Sequence, residues 1–402
     1  MRAFGFGAEN AARRRRGGPT LPALPLPIGS ALNGSANTAL KAALARVTNG
    51  AGRAKFYIAG DSVSFGQGAG TTADAFRLTG ARANRWPAAL AAELTGIGYP
   101  ALDNAFVGDG AIGTVTGGAV DFSAYDPRVS HGTWSATADQ RFAGGSCWVN
   151  QAGSIMRLTA AGVDTFEIVY LNFATATFGT DVDGANPVSG PASGAISTNG
   201  GAFGFTRITL TGASASGSHY GEFGATGGTG ASAIALASMT AYASAAKAID
   251  IKVGAACGAT SAQLATTNHD GGHWSDLDYL AFEAPDLTII LCGINDMNAA
   301  VGASAFAANL HTIIARAKLS GDVLLCFPYA VQSIPDATYQ AYNAAAKAQA
   351  VSDGVAFMSF YEYFGAYTSA LGARTADGTH PLAAMAAEIG RVARRCIQAM
   401  AA

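Results

Sequence analysis

Short apolar runs alternate with longer amphipathic segments in two parts of the chain. Residues 55–59 form the first run, and residues 86–94 follow as a helix with Pro87 in its first turn, where a missing N–H costs nothing. The pattern resumes far downstream. Further runs fall at 249–253, 287–292, 323–327 and 355–359. The run LTIILC at 287–292 is apolar without interruption, as a parallel strand buried on both faces should be. Helical periodicity fills the gaps at 304–319, at 336–352 between Pro335 and Gly354, and at 381–400 behind Pro381. Five strands separated by helices predict an α/β domain on a parallel sheet.

Residues 142–239 break this rhythm. Amphipathic helices give way to alternating stretches at 165–171, 177–182 and 205–210. Turn signals lie between them: Asp183-Gly184, Asn199-Gly200-Gly201 and Gly227-Gly228. Short strands at this spacing predict a small all-β sandwich. It falls between the first and second strands of the α/β pattern, so it reads as an insertion. The expected organisation is a flexible arm over 1–50, a discontinuous α/β domain over 51–135 and 249–402, and an inserted β-sandwich over 136–248.

The arm carries a basic run from Arg13 to Arg16 and then Leu21-Pro22-Ala23-Leu24-Pro25-Leu26-Pro27. An export signal also turns from basic to apolar, but here prolines interrupt the apolar helix it would need. A flexible arm that solvates itself or docks on a partner is the expectation. A cytoplasmic or virion-associated setting is expected ahead of signal-directed secretion.

Composition removes several classes of function. Of 402 residues only 13% are charged, and 25 basic against 27 acidic side chains leave a net charge of −2. There is no basic excess to grip nucleic acid phosphates. Half the residues are hydrophobic, too many for a disordered chain, yet no apolar run is long enough for a membrane span. Much of the low charge has one address. Residues 141–247 hold nine charged side chains and 18 of the 51 glycines, the signature of a turn-rich β module. The five cysteines are scattered, without a CxxC pair, and read as buried thiols rather than a zinc or redox site. His269 and His273 are four apart around Gly271-Gly272; that spacing binds metal on a helix, and two glycines argue for a loop. No metal site is expected.

Four segments carry candidate chemistry, and all four follow predicted parallel strands. Gly60-Asp61-Ser62-Val63 follows the first, where Ser62 would be an exposed nucleophile. The segment from Gly254 to Ser261 follows the second, with glycine N–H groups able to face an anion. Gly293-Ile294-Asn295-Asp296 follows the third, and the Asn295 amide can donate to a developing oxyanion. Asp377-Gly378-Thr379-His380-Pro381 follows the fifth, where Asp377 can fold back to hold one ring nitrogen of His380. Each segment alone has an ordinary reading as a helix cap or a turn. Together they gather a nucleophile, a base with its carboxylate and two kinds of oxyanion donor at the sheet edge where open α/β sheets bind ligands.

At these residues the sequence resembles the SGNH (GDSL-type) hydrolases. GDSV at 60–63 is similar to the family's first block, GIND at 293–296 to its third and DGTHP at 377–381 to its fifth. The resemblance implies a flavodoxin-like three-layer fold with a five-stranded parallel sheet. It also implies a Ser62–His380–Asp377 triad, with the oxyanion held by the N–H groups of Ser62 and Gly258 and the Asn295 amide. No metal or organic cofactor is implied. The second block departs from the family pattern: its usual Asn is absent near Lys252 and Val253. Gly108, in Asn104-Ala105-Phe106-Val107-Gly108, competes with Gly258 for the backbone donor. The β block resembles the insert of some bacterial and phage members, including tail-associated ones, which brings virion or cell-surface association into view. Trp134, Trp148, Tyr170 and Tyr220 are candidate sugar contacts on it. The expected activity is hydrolysis of O-acylated carbohydrate through an acyl-enzyme. A broad short-chain carboxylesterase or lipase, or a non-catalytic glycan-binding tail or adhesin component, are the alternatives.

Overall fold

Parallel strands need both faces covered, and the chain supplies two different covers. In the computed structural model, the residues described are 26–71, 77–108, 125–132, 135–138, 141–149, 155–172, 177–184, 196–197, 204–211, 214, 216–227, 235–267 and 275–402. The main sheet has seven strands in the order Ser30–Ala31, Ala356–Ser359, Asp322–Phe327, Leu287–Leu291, Ala54–Gly60, Ile249–Val253 and Ala101–Leu102. Its five long strands are all parallel. Numbered along the chain, they stand in the order 2-1-3-4-5. The chain therefore leaves its first strand towards one edge and returns to build the other side. This reversal puts a crevice at the carboxyl end of Ala54–Gly60.

The two outer strands are short additions. Ala101–Leu102 runs parallel to Ile249–Val253, and Ser30–Ala31 pairs antiparallel with Ala356–Ser359. The latter corrects the expectation of a flexible arm over 1–50. From Ser30 onward the segment is built into the domain: Asn33 Nδ2 donates to the Val355 carbonyl at 2.8 Å, and the helix Thr38–Thr48 buries Leu40, Ala43, Leu44 and Val47. Residues 1–25, with the arginine run, lie outside the described residues. On one side of the sheet the helices Trp86–Gly96 and Ala383–Ala401 pack together, and on the other the helices Ala303–Ala317 and Asp336–Asp353 do so. No helix among the described residues is long and apolar enough to cross a membrane.

Two antiparallel sheets lie, in sequence, between the first two parallel strands. Alternate residues point between them: Met156 and Leu158, Phe166 and Ile168, and Phe223 and Leu236 are buried. Tyr170 of one sheet stacks on Phe223 of the other at 6.3 Å. The sheets also draw in strands from before residue 136, which shifts the expected boundary. Ala105–Val107 pairs with Ala235–Tyr242, and Val129–His131 pairs with Ile155–Ala161. Strand partners far apart in sequence can be recruited in this way, and local pattern gives no sign of it.

The β module is docked through charges as well as apolar contacts. The strand Ile249–Val253 buries Asp250 and Lys252. Asp250 is forked by Arg53 at 2.5 and 2.7 Å and accepts from Asn104 Nδ2 at 2.9 Å. Lys252 Nζ reaches Glu283 Oε1 at 2.8 Å, and Arg207 of the module reaches Glu283 Oε2 at 2.7 Å. Beside this pair, Phe205 of the module meets the Tyr279 ring edge-on at 5.1 Å, and Tyr279 Oη donates to Ser238 Oγ at 2.6 Å. Burial alone would raise the Glu283 pKa; Lys252 and Arg207 outweigh it and hold it down to about 2. The network thus contributes stability above about pH 4.5 that is lost as pH falls towards 2.

Removing Glu283 takes the main partner from Lys252, Arg207 and Lys55 and leaves the first two only their 3.4 Å contacts to Glu167. Breaking a buried pair in this way costs about 3–5 kcal/mol. Glu283→Ala should lower urea-unfolding stability by that order at pH 7, and by less at pH 3, where the wild type has already lost part of the network. An equal loss at both pH values would contradict the assignment.

Candidate active site

The strand Ala54–Gly60 ends in Asp61, whose carboxylate accepts the Val63 N–H at 3.0 Å and caps the single helical turn Ser62–Phe65. Ser62 is the first residue of that turn, so its side chain stands at the end of the strand and over the crevice. It is 7% exposed, and its Oγ lies 2.8 Å from His380 Nε2.

His380 is held by its own loop. Its Nδ1 lies 2.7 Å from Asp377 Oδ2, while Asp377 Oδ1 accepts the backbone N–H groups of Thr379 at 3.0 Å and His380 at 2.8 Å. Those bonds and the neighbouring imidazole offset partial burial and hold the Asp377 carboxyl down to about 2. The loop is pinned from outside by Tyr329 Oη, which donates to the Thr379 carbonyl at 2.6 Å, and by the Gln332 N–H on the Gly378 carbonyl at 3.1 Å. Gly68 closes the remaining side. Its backbone is left-handed (φ 89°), and a Cβ there would sit 2.7 Å from His380 Cβ. Only glycine lets this segment lie against the backbone of His380.

The other predicted residues gather on the opposite side of Ser62. Asn295 lies in the helical turn Ile294–Asn298 that follows Leu287–Leu291, and its Nδ2 donates one hydrogen to the Ala259 carbonyl at 2.9 Å. The second amide hydrogen remains for a ligand. Gly258 lies in the turn after Ile249–Val253, exposed and left-handed (φ 77°). That turn is tied to the strand that precedes Ser62, since the Ala256 N–H donates to the Gly60 carbonyl at 3.0 Å. Asp296 secures it further by accepting the Ser261 N–H at 2.9 Å and the Ser261 hydroxyl at 2.5 Å. Gly108 is placed differently. It ends the strand Ala105–Val107, which pairs with the β module, and its backbone packs on Gly144. Sequence reasoning did not single out Tyr329, Gly68 or Asp296 for these supporting contacts. Of the three, Gly68 had a signal in the close-set Gly66, Gly68 and Gly70.

Other candidates fall elsewhere. Tyr170 is buried in the module core, and the Tyr220 ring is covered by Arg157 at 4.2 Å. Trp134, His269 and His273 lie outside the described residues. His311 bonds Asp353 on the helix surface at 2.8 Å. Cys257, Cys292, Cys326 and Cys396 are buried thiols.

Residues 218–387 match the GDSL-like lipase/acylhydrolase family, a stretch that includes Gly258, Asn295, Asp377 and His380 and begins downstream of Ser62. That stretch of the chain is thus similar to a GDSL-like acylhydrolase domain. No curated protein matches the sequence. Similar solved structures include protein YXIM of Bacillus subtilis, at 13% identity over 66% of this chain and 86% of that one, with a TM-score of 0.35. A family two carbohydrate esterase from Clostridium thermocellum, solved with cellohexaose, aligns at 12% identity over 66% of this chain and 97% of that one, with a TM-score of 0.31. The lipase/acylhydrolase from Enterococcus faecalis aligns at 19% over 38% of this chain and 77% of that one, with a TM-score of 0.32.

Asp61 gives the site a pH-dependent element. Burial first of all, and the nearby Asp296, push its carboxyl from 3.8 up to about 7, against the Val63 N–H and His380. Between those two values the acid ionises in the unfolded chain and stays protonated in the fold, so stability falls as pH rises through the window. Asp61→Asn keeps a capping side chain and removes this proton. Urea unfolding at pH 5 and pH 7 should show a smaller stability loss for the variant than for the wild type. Equal losses would contradict the assignment.

Proposed function

We propose that Ser62 is the nucleophile of an ester hydrolase whose base is His380 and whose orienting carboxylate is Asp377. The observation that carries this reading is the unbroken relay Asp377 Oδ2–His380 Nδ1 and His380 Nε2–Ser62 Oγ, at 2.7 and 2.8 Å. Ser62 Oγ attacks the ester carbonyl carbon while its proton passes to His380 Nε2. Asp377 fixes the imidazole tautomer and stabilises the cation that forms. The carbonyl oxygen becomes an oxyanion, met by the N–H groups of Ser62 and Gly258 and by Asn295 Nδ2. The His380 proton goes to the departing alcohol, leaving an acyl-enzyme. Water then attacks the acyl carbon and gives its proton to His380, the bond to Ser62 Oγ breaks, and His380 returns the proton to Oγ as the acid leaves. No step needs a metal or an organic cofactor.

The substrate in this reading is an O-acylated carbohydrate, such as an acetylated surface polysaccharide. Gly258 is exposed and the Asp377 side chain is half-exposed, which favours an ester presented on a large polar molecule at the surface. The near-neutral net charge suits a substrate of low charge. The family description favours a second reading as a broad short-chain carboxylesterase or lipase. Attachment to a virion or cell surface belongs with the carbohydrate reading.

A fluorophosphonate probe should label the wild type and leave Ser62→Ala unlabelled. Asn295→Ala should lower kcat by about 10²–10³ with the fold intact by circular dichroism. Acetate release from acetylated xylan or capsular glycan, compared with p-nitrophenyl esters, separates the two substrates. Glycan binding without any ester turnover would overturn the hydrolase reading.

A further inference from the structure

A single helical turn does not hold itself together, because nucleation fixes several dihedral angles for very few hydrogen bonds. The turn Ser62–Phe65 is such a unit, and both of its ends are tied down. Asp61 caps the front. Behind it, Tyr125 Oη donates to the Phe65 carbonyl at 2.6 Å. The Tyr125 ring also stacks flat on the Phe65 ring, with centroids 4.4 Å apart and planes within 8°.

Tyr125 is itself held by a buried ion pair. Arg85 Nη1 donates to Tyr125 Oη at 2.9 Å. Its Nε and Nη2 fork Asp103 at 2.8 and 2.7 Å, and both side chains of the pair are 5% exposed. Arg82 joins Asp103 at 3.3 Å to Asp126 at 2.9 Å, and Arg128 also bonds Asp126 at 2.8 Å. Gly66, which ends the turn, lies directly against Arg85, since a Cβ there would be 2.7 Å from Arg85 Cβ. The chain Asp103–Arg85–Tyr125–Phe65 therefore ends on the backbone of the turn that carries Ser62. A donor that itself accepts from a guanidinium is a stronger donor.

We propose that Tyr125 is a positioning residue for Ser62: its hydroxyl, oriented by Arg85, fixes the Phe65 carbonyl and with it the direction of Ser62 Oγ. This rests on Ser62 being the nucleophile. Tyr125 touches no reacting atom and acts only through the turn. Its share is expressed in turnover and in nucleophile reactivity, not in substrate affinity. A misplacement of 1 Å can cost about 10²-fold in rate; with Asp61 and the Trp86 Nε1 bond to Ser64 Oγ still in place, loss of the Tyr125 anchor should cost about tenfold.

The test is Tyr125→Phe in the full chain, which keeps the ring stack and removes the hydroxyl. Three quantities are read: kcat and KM on p-nitrophenyl acetate, the rate constant of fluorophosphonate labelling, and Tm. The expected result is a parallel fall of about tenfold in kcat and labelling rate, with KM changed by less than about twofold. Arg85→Lys, which keeps the charge and loses the fork, should move kcat and labelling rate in the same direction, and it serves if Tyr125→Phe does not fold. A lowered Tm with kcat and labelling rate at wild-type values would make Tyr125 purely structural and overturn the inference. Ser62→Ala is run alongside. If it still labels, the nucleophile reading fails; if it does not label and Tyr125→Phe labels at the wild-type rate, only the inference about Tyr125 fails.

Discussion

Ser62 and His380 stand 318 residues apart in the chain, yet their side chains meet at 2.8 Å. A contact of that range tolerates little error, and the surrounding structure is arranged to hold its two ends. One end is a strand terminus in the middle of a sheet buried on both faces. The other is a short loop in front of the closing helix Ala383–Ala401. The strand order 2-1-3-4-5 brings them to the same edge, because the first strand lies where the chain reverses direction across the sheet. Tyr329, Gln332 and Gly68 then hold the histidine loop from three sides, while Asp61 and Tyr125 hold the serine turn from two.

The β module brings a cost that the main domain offsets. A parallel strand with Asp250 and Lys252 in it would be a poor interior strand if helices covered both faces. Here the module contributes part of the cover and brings Arg207, while Asn104, Arg53 and Glu283 complete the partners. A buried ion pair is weak evidence for stability but strong evidence for a fixed arrangement, since a shifted docking would strand a charge. Arg85 and Asp103, behind the turn Ser62–Phe65, fix an arrangement in the same way. In a chain with only 13% charged residues, these buried networks join elements whose relative position matters to the site.

The long parallel strands could be read from the sequence because burial on both faces leaves an apolar run, as at Leu287–Leu291. The motif residues could be read because each directly follows such a run. Three kinds of feature escaped. The edge strand Ser30–Ala31 is two residues long, too short to show any period. The strands Ala105–Val107 and Val129–His131 pair with partners beyond residue 136, and local pattern gives no sign of such pairing. The supports of the site escaped because a tyrosine such as Tyr329 or Tyr125 is identical in sequence whether its hydroxyl pins a loop or faces water. For Gly258 and Gly108 the sequence left two candidates. Their strands differ in partner: one is paired with Ala54–Gly60 in the main sheet, the other with the β module.

The most direct test of the account is a crystal structure of the enzyme inactivated by a small phosphonate that mimics the tetrahedral intermediate. The account predicts phosphorus bonded to Ser62 Oγ. It places the phosphoryl oxygen about 2.7–3.1 Å from the N–H groups of Ser62 and Gly258 and from Asn295 Nδ2. His380 Nε2 should face the leaving-group side. An adduct on any other residue, or a phosphoryl oxygen turned away from Asn295 and towards Gly108, would contradict it.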